Sequence, residues 1–466
     1  MLVLAVLAAI PALGLGALTV YARGQDTGVV VPATTTSTTP PALPLVLVTP
    51  LLSTRRAPSP MAAERRTALL TRALQPLGAA VDPTSCMAVA LDDRQVAGTN
   101  PDLQVIPASN VKVLTATAAV QVLGAGTVFT TKVVGAAPVD GVVQGDVYLV
   151  GGGDPLLSEQ WYTKPSGTRK RPPVHATSVE ALADQMAAAG VTSITGSVLG
   201  DGSRYDDETH PPGWGKGVRA TIDGVPVGAL VVNDSIRRSG GIDGDPAQSA
   251  ATTFRSLLRA RGIAVGGAAG TGVAPDAAGV LATVSSVPLS DVVNEMLATS
   301  DNLTAEMLVK EVGRTVAAPG SRAAGLQVIS DRMVEWGVAA GTFTLADGSG
   351  LSRENRITCA GLLTVLERGS ATDVIGGGLA KAGEAGSTLD GKFTQPGLAG
   401  VLQAKTGSLT GVKALCGYFP AGDGEVGFVL ILNGPTAKQF AGPWQQLGQA
   451  LLAVASAPTA AALAPR

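Results

Sequence analysis

The sequence predicts an α/β protein of the α+β kind, an antiparallel sheet flanked by helices and interrupted by a module of mixed strands and helices. Three observations carry this expectation. Residues 402–406, 413–419 and 426–432 are apolar runs separated by short joints, the pattern of three antiparallel strands, and a helical stretch follows at 443–454. Residues 290–368 read as a series of helices. Between 127 and 284 the composition turns strand-like, with helical stretches only at 177–190 and 248–261. The expected organisation is therefore one domain split into 61–126 and 285–458, with 127–284 inserted, preceded by segments 1–24 and 25–60.

Residues 1–22 carry no charge and end at Arg23. That length fits a membrane span or the hydrophobic part of a signal peptide, and the lack of a clean small-x-small cleavage site favours an uncleaved anchor. Residues 25–44 contain a Thr/Pro-rich run that makes an extended linker. The fold is expected to begin near Met61, with a helix at 62–75 stopped by Pro76. Residues 87–91 alternate as a strand, Asp92-Asp93 turn, and 95–97 begin the return. A helix starts at Ser109 and stops near Gly124 and Gly126.

Residues 129–134 and 142–150 read as a hairpin. The glycines that follow, up to Asp154-Pro155, lack the lysine of a phosphate-binding loop and are read as a turn. Thr177-x-x-Glu180 forms a capping box for a helix ending at Gly190. Strands are expected at 194–199 and 225–232, and a helix at 248–261. The helices of the last third lie at 290–297, 303–312, 322–336 and 358–368, with Ser300-Asp301-Asn302 in the tight joint between the first two.

Composition narrows the functions. The chain has 466 residues and a formal net charge of −2, with no long basic run, so nothing points to nucleic acid. Cys86, Cys359 and Cys416 are far apart and make no metal site by spacing; one disulfide is possible without a choice of pair, and three separate buried thiols are the expected arrangement. The two histidines, His175 and His210, lie close to prolines, and no His-x-x-x-His cluster exists. If the chain does acyl chemistry, lysine is a better base than either histidine.

Ser109-x-x-Lys112 supplies that lysine. Residues three apart on a helix share a face, so the Ser109 hydroxyl lies beside the Lys112 amine. A desolvated lysine can take the proton that a serine must lose to become a nucleophile. Alone the pair is a weak signal. Ser300-Asp301-Asn302 and Lys405-Thr406-Gly407 strengthen it, because the three motifs occur in order at a helix start, an inter-helix joint and a strand.

With these motifs, and with Val150-Gly-Gly-Gly-Asp-Pro155, Pro211-Pro-Gly-Trp214, Asp347-Gly-Ser-Gly-Leu-Ser352 and Ala404-Lys-Thr-Gly-Ser-Leu-Thr410, the chain from Met61 to its end resembles the type-4, class C penicillin-binding proteins. This is the D-alanyl-D-alanine carboxypeptidase/endopeptidase family. The stretch between Ser109 and Ser300 is much longer than in a class A β-lactamase, and no clear Glu-x-x-Leu-Asn loop follows. The resemblance implies a transpeptidase-like domain of the penicillin-binding-protein and β-lactamase type.

It also implies roles. Ser109 is the acylated nucleophile and Lys112 its general base, with a pKa lowered by burial and a second cation. Lys405 supplies that charge and attracts the substrate's terminal carboxylate. Ser300 relays a proton to the leaving amine, and Asn302 holds Lys112 or the substrate backbone. Thr406, Gly407 and Ser408 line the substrate, with the Ser109 and Ser408 N–H groups as oxyanion hole. The implied activity is removal of the terminal D-Ala from peptidoglycan stem peptides, with acylation by β-lactams and no cofactor or metal. The implied location is outside the cytoplasmic membrane, held there by the N-terminal segment. A β-lactamase or esterase on the same site, and a penicillin-recognising wall-binding protein without turnover, stay open as alternatives.

Overall fold

The computed structural model describes residues 58–164 and 173–463. The N-terminal apolar segment and the whole Thr/Pro-rich run at 25–44 lie outside the described residues. Helix α1, Pro58–Ala80, starts inside the stretch read as linker and runs through Pro76, where the sequence placed its end. Leu70, Leu74 and Leu77 bury against the C-terminal helix, and this tertiary packing outweighs the hydrogen bond that proline removes.

Strands β1 (Cys86–Leu91) and β2 (Arg94–Thr99) form a hairpin turning at Asp92 and Asp93, both with positive φ. Helix α2, Val111–Leu123, follows a 3₁₀ turn at Ala108–Asn110 and ends at Gly124.

The next part of the chain builds two further sheets. Strands β3 (Thr130–Gly135), β4 (Val142–Val143) and β5 (Val147–Val150) correct the expected hairpin, because 142–150 is two strands in two sheets. After helix α3 (Glu180–Ala188), the expected strand 194–199 is likewise split into β6 (Ser193–Ile194) and β7 (Val198–Asp201). Both breaks fall at glycines in close contact: a Cβ on Gly196 would lie 2.5 Å from the Gly145 backbone. Only two glycines let the paired strands pass from one sheet to the other here.

Helix α4 (Pro246–Ala260) and strands β8 (Ala264–Val265), β9 (Ala269–Thr271) and β10 (Gly279–Ser285) complete this region. The five-stranded sheet has the order β9-β7-β5-β3-β10 and the three-stranded one β8-β6-β4. The expected capping box does not form: Thr177 lies in a short strand, and the Ser178 hydroxyl accepts the Ala181 N–H at 3.3 Å. The stretch 225–232 is not a strand. It keeps the period of two, with Val225, Val227, Ala229 and Val231 packed on Leu303 and Met307, and Leu230 and Val232 turned to the core under α4. It is extended between two cores, without a ladder.

Helices α5 (Leu289–Thr299), α6 (Asn302–Gly313), α7 (Arg322–Glu335) and α8 (Cys359–Leu366) follow. The chain closes with β11 (Ala380–Lys381), β12 (Gln403–Leu409), β13 (Val412–Ala421), β14 (Gly424–Asn433) and α9 (Ala441–Ala455). The main sheet is six-stranded and antiparallel throughout, in the order β11-β12-β13-β14-β1-β2.

Successive residues of its central strands serve opposite layers. Ala88, Cys416, Val429 and Ile431 pack toward α2, α5, α6, α7 and α8, while Val89, Leu415, Phe428 and Leu430 pack toward α1 and α9. The result is an antiparallel sheet flanked by helices, as the sequence predicts. Cys86 on β1 is joined to Cys359 at the head of α8 by a disulfide, so two of the three cysteines are not separate thiols; Cys416 is free and buried.

Candidate active site

Ser109 lies in the 3₁₀ turn just before α2, not within the α-helix itself. The preceding Ala108 is fully buried with φ of 49°, a conformation costly for a residue with a Cβ. Two glycines let the neighbouring backbone close on this turn. A Cβ on Gly350 would lie 2.0 Å from the Ala108 carbonyl oxygen, and one on Gly407 would lie 2.9 Å from that of Pro107. The turn is therefore clamped between the 347–352 loop and β12.

Lys112 is 0% exposed. Its Nζ donates to Ser109 Oγ at 3.2 Å, to Asn302 Oδ1 at 2.6 Å and to the Ser349 carbonyl at 2.5 Å. Burial pushes its pKa from 10.5 down to about 8. The sequence reading assigned part of that depression to Lys405. The leading cause is burial, and the charges next in strength are carboxylates (Asp347, Asp301, Glu306 and Asp223) that oppose it.

Asn302 is the first residue of α6. Ser300 caps α5 in the left-handed conformation, with φ of 64°, and the Asp301 carboxylate accepts the Thr304 N–H at 2.7 Å as N-cap of α6. This joint turns the chain so that the amide of Asn302 reaches two ways. Its oxygen meets Lys112, and its nitrogen donates to the Asp223 carbonyl at 2.9 Å.

Lys405 is 0% exposed on β12, and its Nζ donates to the Thr406 carbonyl at 2.8 Å. It shares a strand face with Gly407, the face toward the Ser109 turn. Thr406 is half-buried, Gly407 buried and Ser408 exposed, with the Ser408 hydroxyl accepting from Lys413 Nζ at 2.9 Å. Ladder pairing with β11 covers only Gln403 and Ala404, so from Lys405 onward β12 has no ladder partner on that edge among the described residues.

The structure thus hydrogen-bonds Ser109, Lys112 and Asn302 directly and brings β12 against the same turn. The histidines stand apart, His175 against Glu295 at 3.3 Å and His210 against Thr209 at 3.1 Å.

Sequence reasoning missed how the 347–352 loop serves the site. Asp347 is fully buried and hydrogen-bonded on both oxygens. Oδ1 accepts from Gly350 N and Asn355 Nδ2, each at 2.7 Å, and Oδ2 from Trp214 Nε1 at 2.9 Å and Ser352 N at 2.5 Å. Glu306 Oε1 accepts the N–H groups of Gly348 and Ser349 at 3.0 and 2.7 Å. The Thr115 hydroxyl on α2 donates to the Gly348 carbonyl at 2.8 Å. Glu306 had a signal in the sequence: it lies four residues after Asn302, one helical turn along the same face.

Comparison with known proteins gives the family. The model of the D-Ala-D-Ala carboxypeptidase 3 (S13) family matches residues 79–240 and 242–453. The chain belongs to that family. A D-alanyl-D-alanine carboxypeptidase of Actinomadura sp. (strain R39) is 31% identical over 414 residues, covering 71% of this chain and 74% of the relative. A carboxypeptidase of Mycobacterium tuberculosis is 31% identical over 360 residues, covering 72% and 73%. The crystal structure of penicillin-binding protein 4 from Haemophilus influenzae superposes with a TM-score of 0.68 at 21% identity, over 81% of this chain and 98% of that one. The chain is a serine-type D-Ala-D-Ala carboxypeptidase of this family, a hydrolase of peptidoglycan peptides.

Proposed function

We propose that the S13-type reaction runs through an acyl-enzyme on Ser109, with Lys112 as its base. One observation carries the reading: a fully buried lysine whose pKa is about 8 donates to the hydroxyl of Ser109. In its neutral form Lys112 accepts the Ser109 proton as Oγ attacks the carbonyl carbon of the penultimate D-Ala. The oxyanion is held by the N–H groups of Ser109 and Ser408. The C–N bond then breaks, and the leaving D-Ala amine takes a proton relayed through Ser300. Water hydrolyses the ester, frees the shortened peptide and restores Ser109.

The substrate backbone lies along the unpaired edge of β12 at Thr406, Gly407 and Ser408, as an added strand. Lys405 attracts the terminal carboxylate, and Asn302 orients Lys112. A solved structure of the Haemophilus influenzae protein is complexed with a β-lactam. A strained lactam mimics the D-Ala-D-Ala amide, and in this reading it acylates Ser109.

The domain is exported and held at the outer face of the cytoplasmic membrane by residues 1–24, through the linker that follows. The Cys86–Cys359 disulfide supports an oxidising compartment. Among the described residues no helix is long and apolar enough to cross a membrane. Residues 127–284 form a module inserted between the first and second motifs.

The test joins three assays: labelling by a fluorescent penicillin, release of D-Ala from a D-Ala-D-Ala pentapeptide, and hydrolysis of a chromogenic cephalosporin. The wild type labels, releases D-Ala and turns the cephalosporin over slowly. Ser109→Ala does neither of the first two, and Lys112→Ala acylates roughly 10²–10⁴-fold more slowly. Labelling of Ser109→Ala at another serine overturns the assignment.

A further inference from the structure

Lys112 has three hydrogen-bond partners, and one of them is a backbone carbonyl in a loop. A carbonyl oxygen only accepts, so its bond to Nζ consumes an N–H and fixes the rotation of the amine. When the amine is neutral, that rotation decides whether the lone pair meets the Ser109 proton. The Ser349 carbonyl therefore has to be held in place, and an unrestrained loop of two glycines and a serine would not hold it.

The restraint comes from inside the helical layer. Glu306 is 2% exposed, and its Oε1 takes the N–H groups of Gly348 and Ser349 together. Those are the amides of the two successive peptides immediately before the one that carries the Ser349 carbonyl. Glu306 is also one turn from Asn302 on α6, so one rigid helix sets two of the three groups around Lys112. Its second oxygen, Oε2, is buried and hydrogen-bonded to nothing among the described residues. A structural carboxylate in a loop clamp normally uses both oxygens, as Asp347 does in this same loop.

We infer that Glu306 is a positioning residue for the acylation step, holding the Gly348–Ser349 turn so that the Ser349 carbonyl orients the Lys112 amine toward Ser109. The inference rests on Lys112 being the base for Ser109. Burial and the nearby Asp347 push the Glu306 pKa up to about 8, against the hydrogen bonds from Gly348 and Ser349. Its proton has a natural seat on the unpartnered Oε2. The charged groups facing this position are Lys112 on α2, Asp347 in the loop and Arg322 on α7. Asp301 at the head of α6 and Asp223 act on the same amine.

The test uses the full chain with Glu306→Ala and Glu306→Gln, beside Ser109→Ala and Lys112→Ala. Acylation by fluorescent penicillin is followed from pH 6 to 10, and kcat and KM are measured on a D-Ala-D-Ala peptide. Glu306→Ala frees the turn, so kcat and the acylation rate fall about tenfold or more while KM stays within about twofold. Glu306→Gln keeps an acceptor for the two amides and restores most of the lost rate.

The same variant has no carboxylate, and a carboxylate beside Lys112 favours the protonated amine. Its acylation midpoint therefore moves to lower pH. That shift reports the charge beside Lys112, while the kcat loss at unchanged KM in Glu306→Ala and its rescue in Glu306→Gln report the positioning. Wild-type kcat in a folded Glu306→Ala, or a loss confined to KM, overturns the inference. If Glu306→Ala does not fold, Glu306→Asp decides: a carboxylate one methylene shorter cannot reach both amides, so a fall in kcat at unchanged KM supports the role, and wild-type kcat refutes it. Loss of labelling in Ser109→Ala and slow acylation in Lys112→Ala keep the underlying reading separately testable.

Discussion

If Lys112 is the base for Ser109, as proposed, its depressed pKa sets how acylation depends on pH. Only the neutral amine can accept the Ser109 proton. With a pKa of about 8, about one amine in eleven is neutral at pH 7; at the ordinary 10.5 it would be about one in three thousand. Burial thus supplies about 300-fold more competent base at neutral pH, comparable to the whole effect usually seen for general-base help. The acylation rate should rise about tenfold from pH 6 to 7, about fivefold from 7 to 8, and level off above about 9. Glu306 titrates in the same range and broadens the limb.

The assay is the second-order labelling rate with a fluorescent penicillin at limiting enzyme, corrected for hydrolysis of the reagent. Asp301→Asn sharpens it. Asparagine still caps α6, but the charge that raises the Lys112 pKa is gone, so the midpoint moves to lower pH. A wild-type midpoint above 10 would mean that Lys112 is not a desolvated base. A midpoint that ignores Asp301→Asn would mean that the titrating group is elsewhere.

Four further outcomes are expected. Asn302→Ala removes the acceptor for Lys112 and the donor to Asp223, and should slow acylation about tenfold or more, since hydrogen bonds to ionised groups are worth about 1.5–3 kcal/mol; a wild-type labelling rate would refute this. Lys405→Gln should lose most of the preference for a penicillin with a free carboxylate over its ester; an intact preference would place carboxylate recognition on another residue. Replacing Cys86 and Cys359 together by serine should lower stability by roughly 2–5 kcal/mol in urea unfolding, because the bond closes a loop of 273 residues; an unchanged unfolding midpoint would count against the pairing. Asp154→Asn should stabilise the protein at pH 7 and not at pH 3. Burial raises the folded pKa of Asp154 to about 6, so its protonated form is favoured and its charge becomes a penalty as pH rises from 3.8 through 6; equal effects at the two pH values would refute this.

The legible parts of the sequence were those whose signal is local. The runs at 413–419 and 426–432 show as strands because each is long and buried on both sides of the sheet. The motif pair Ser109 and Lys112 shows because the two lie three residues apart at a helix start, followed in order by the motifs at 300–302 and 405–407. Illegible were features set by distant partners. The runs 142–150 and 194–199 have strand composition throughout, and only the contact of Gly145 with Gly196 reveals where both break. The stretch 225–232 alternates as a strand would, yet its two faces feed two different cores and no neighbour completes a ladder. The Ser349 carbonyl was invisible in principle, since any residue at that position carries the same group. The disulfide was unreadable for a related reason: Cys86 and Cys359 meet only after β1 and α8 have packed.

The stretch 204–223 belongs in sequence to the region between the first two motifs, but it packs on the helices and loop that frame the proposed active site. Arg204 and Tyr205 hold Glu311, and Asp206 holds Lys310, a lysine that is 2% exposed. Glu208 pairs with Arg322 of α7, whose guanidinium also donates to the Ala346 carbonyl at the mouth of the 347–352 loop. Trp214 donates to Asp347 inside that loop, and the Asp223 carbonyl takes the amide of Asn302.

Buried charges of this kind are costly when a partner is lost, so the stretch cannot lift away from α6 and α7 without leaving several ions unpaired. The helix and loop that hold Lys112 are therefore fixed from outside by the intervening region as well as from inside by Glu306. A lysine can stay neutral near pH 8 only where water is excluded and the surrounding dipoles are fixed. Through Trp214 and the Asp223 carbonyl, the region between the motifs helps fix those dipoles around Lys112, where the proposed chemistry needs them.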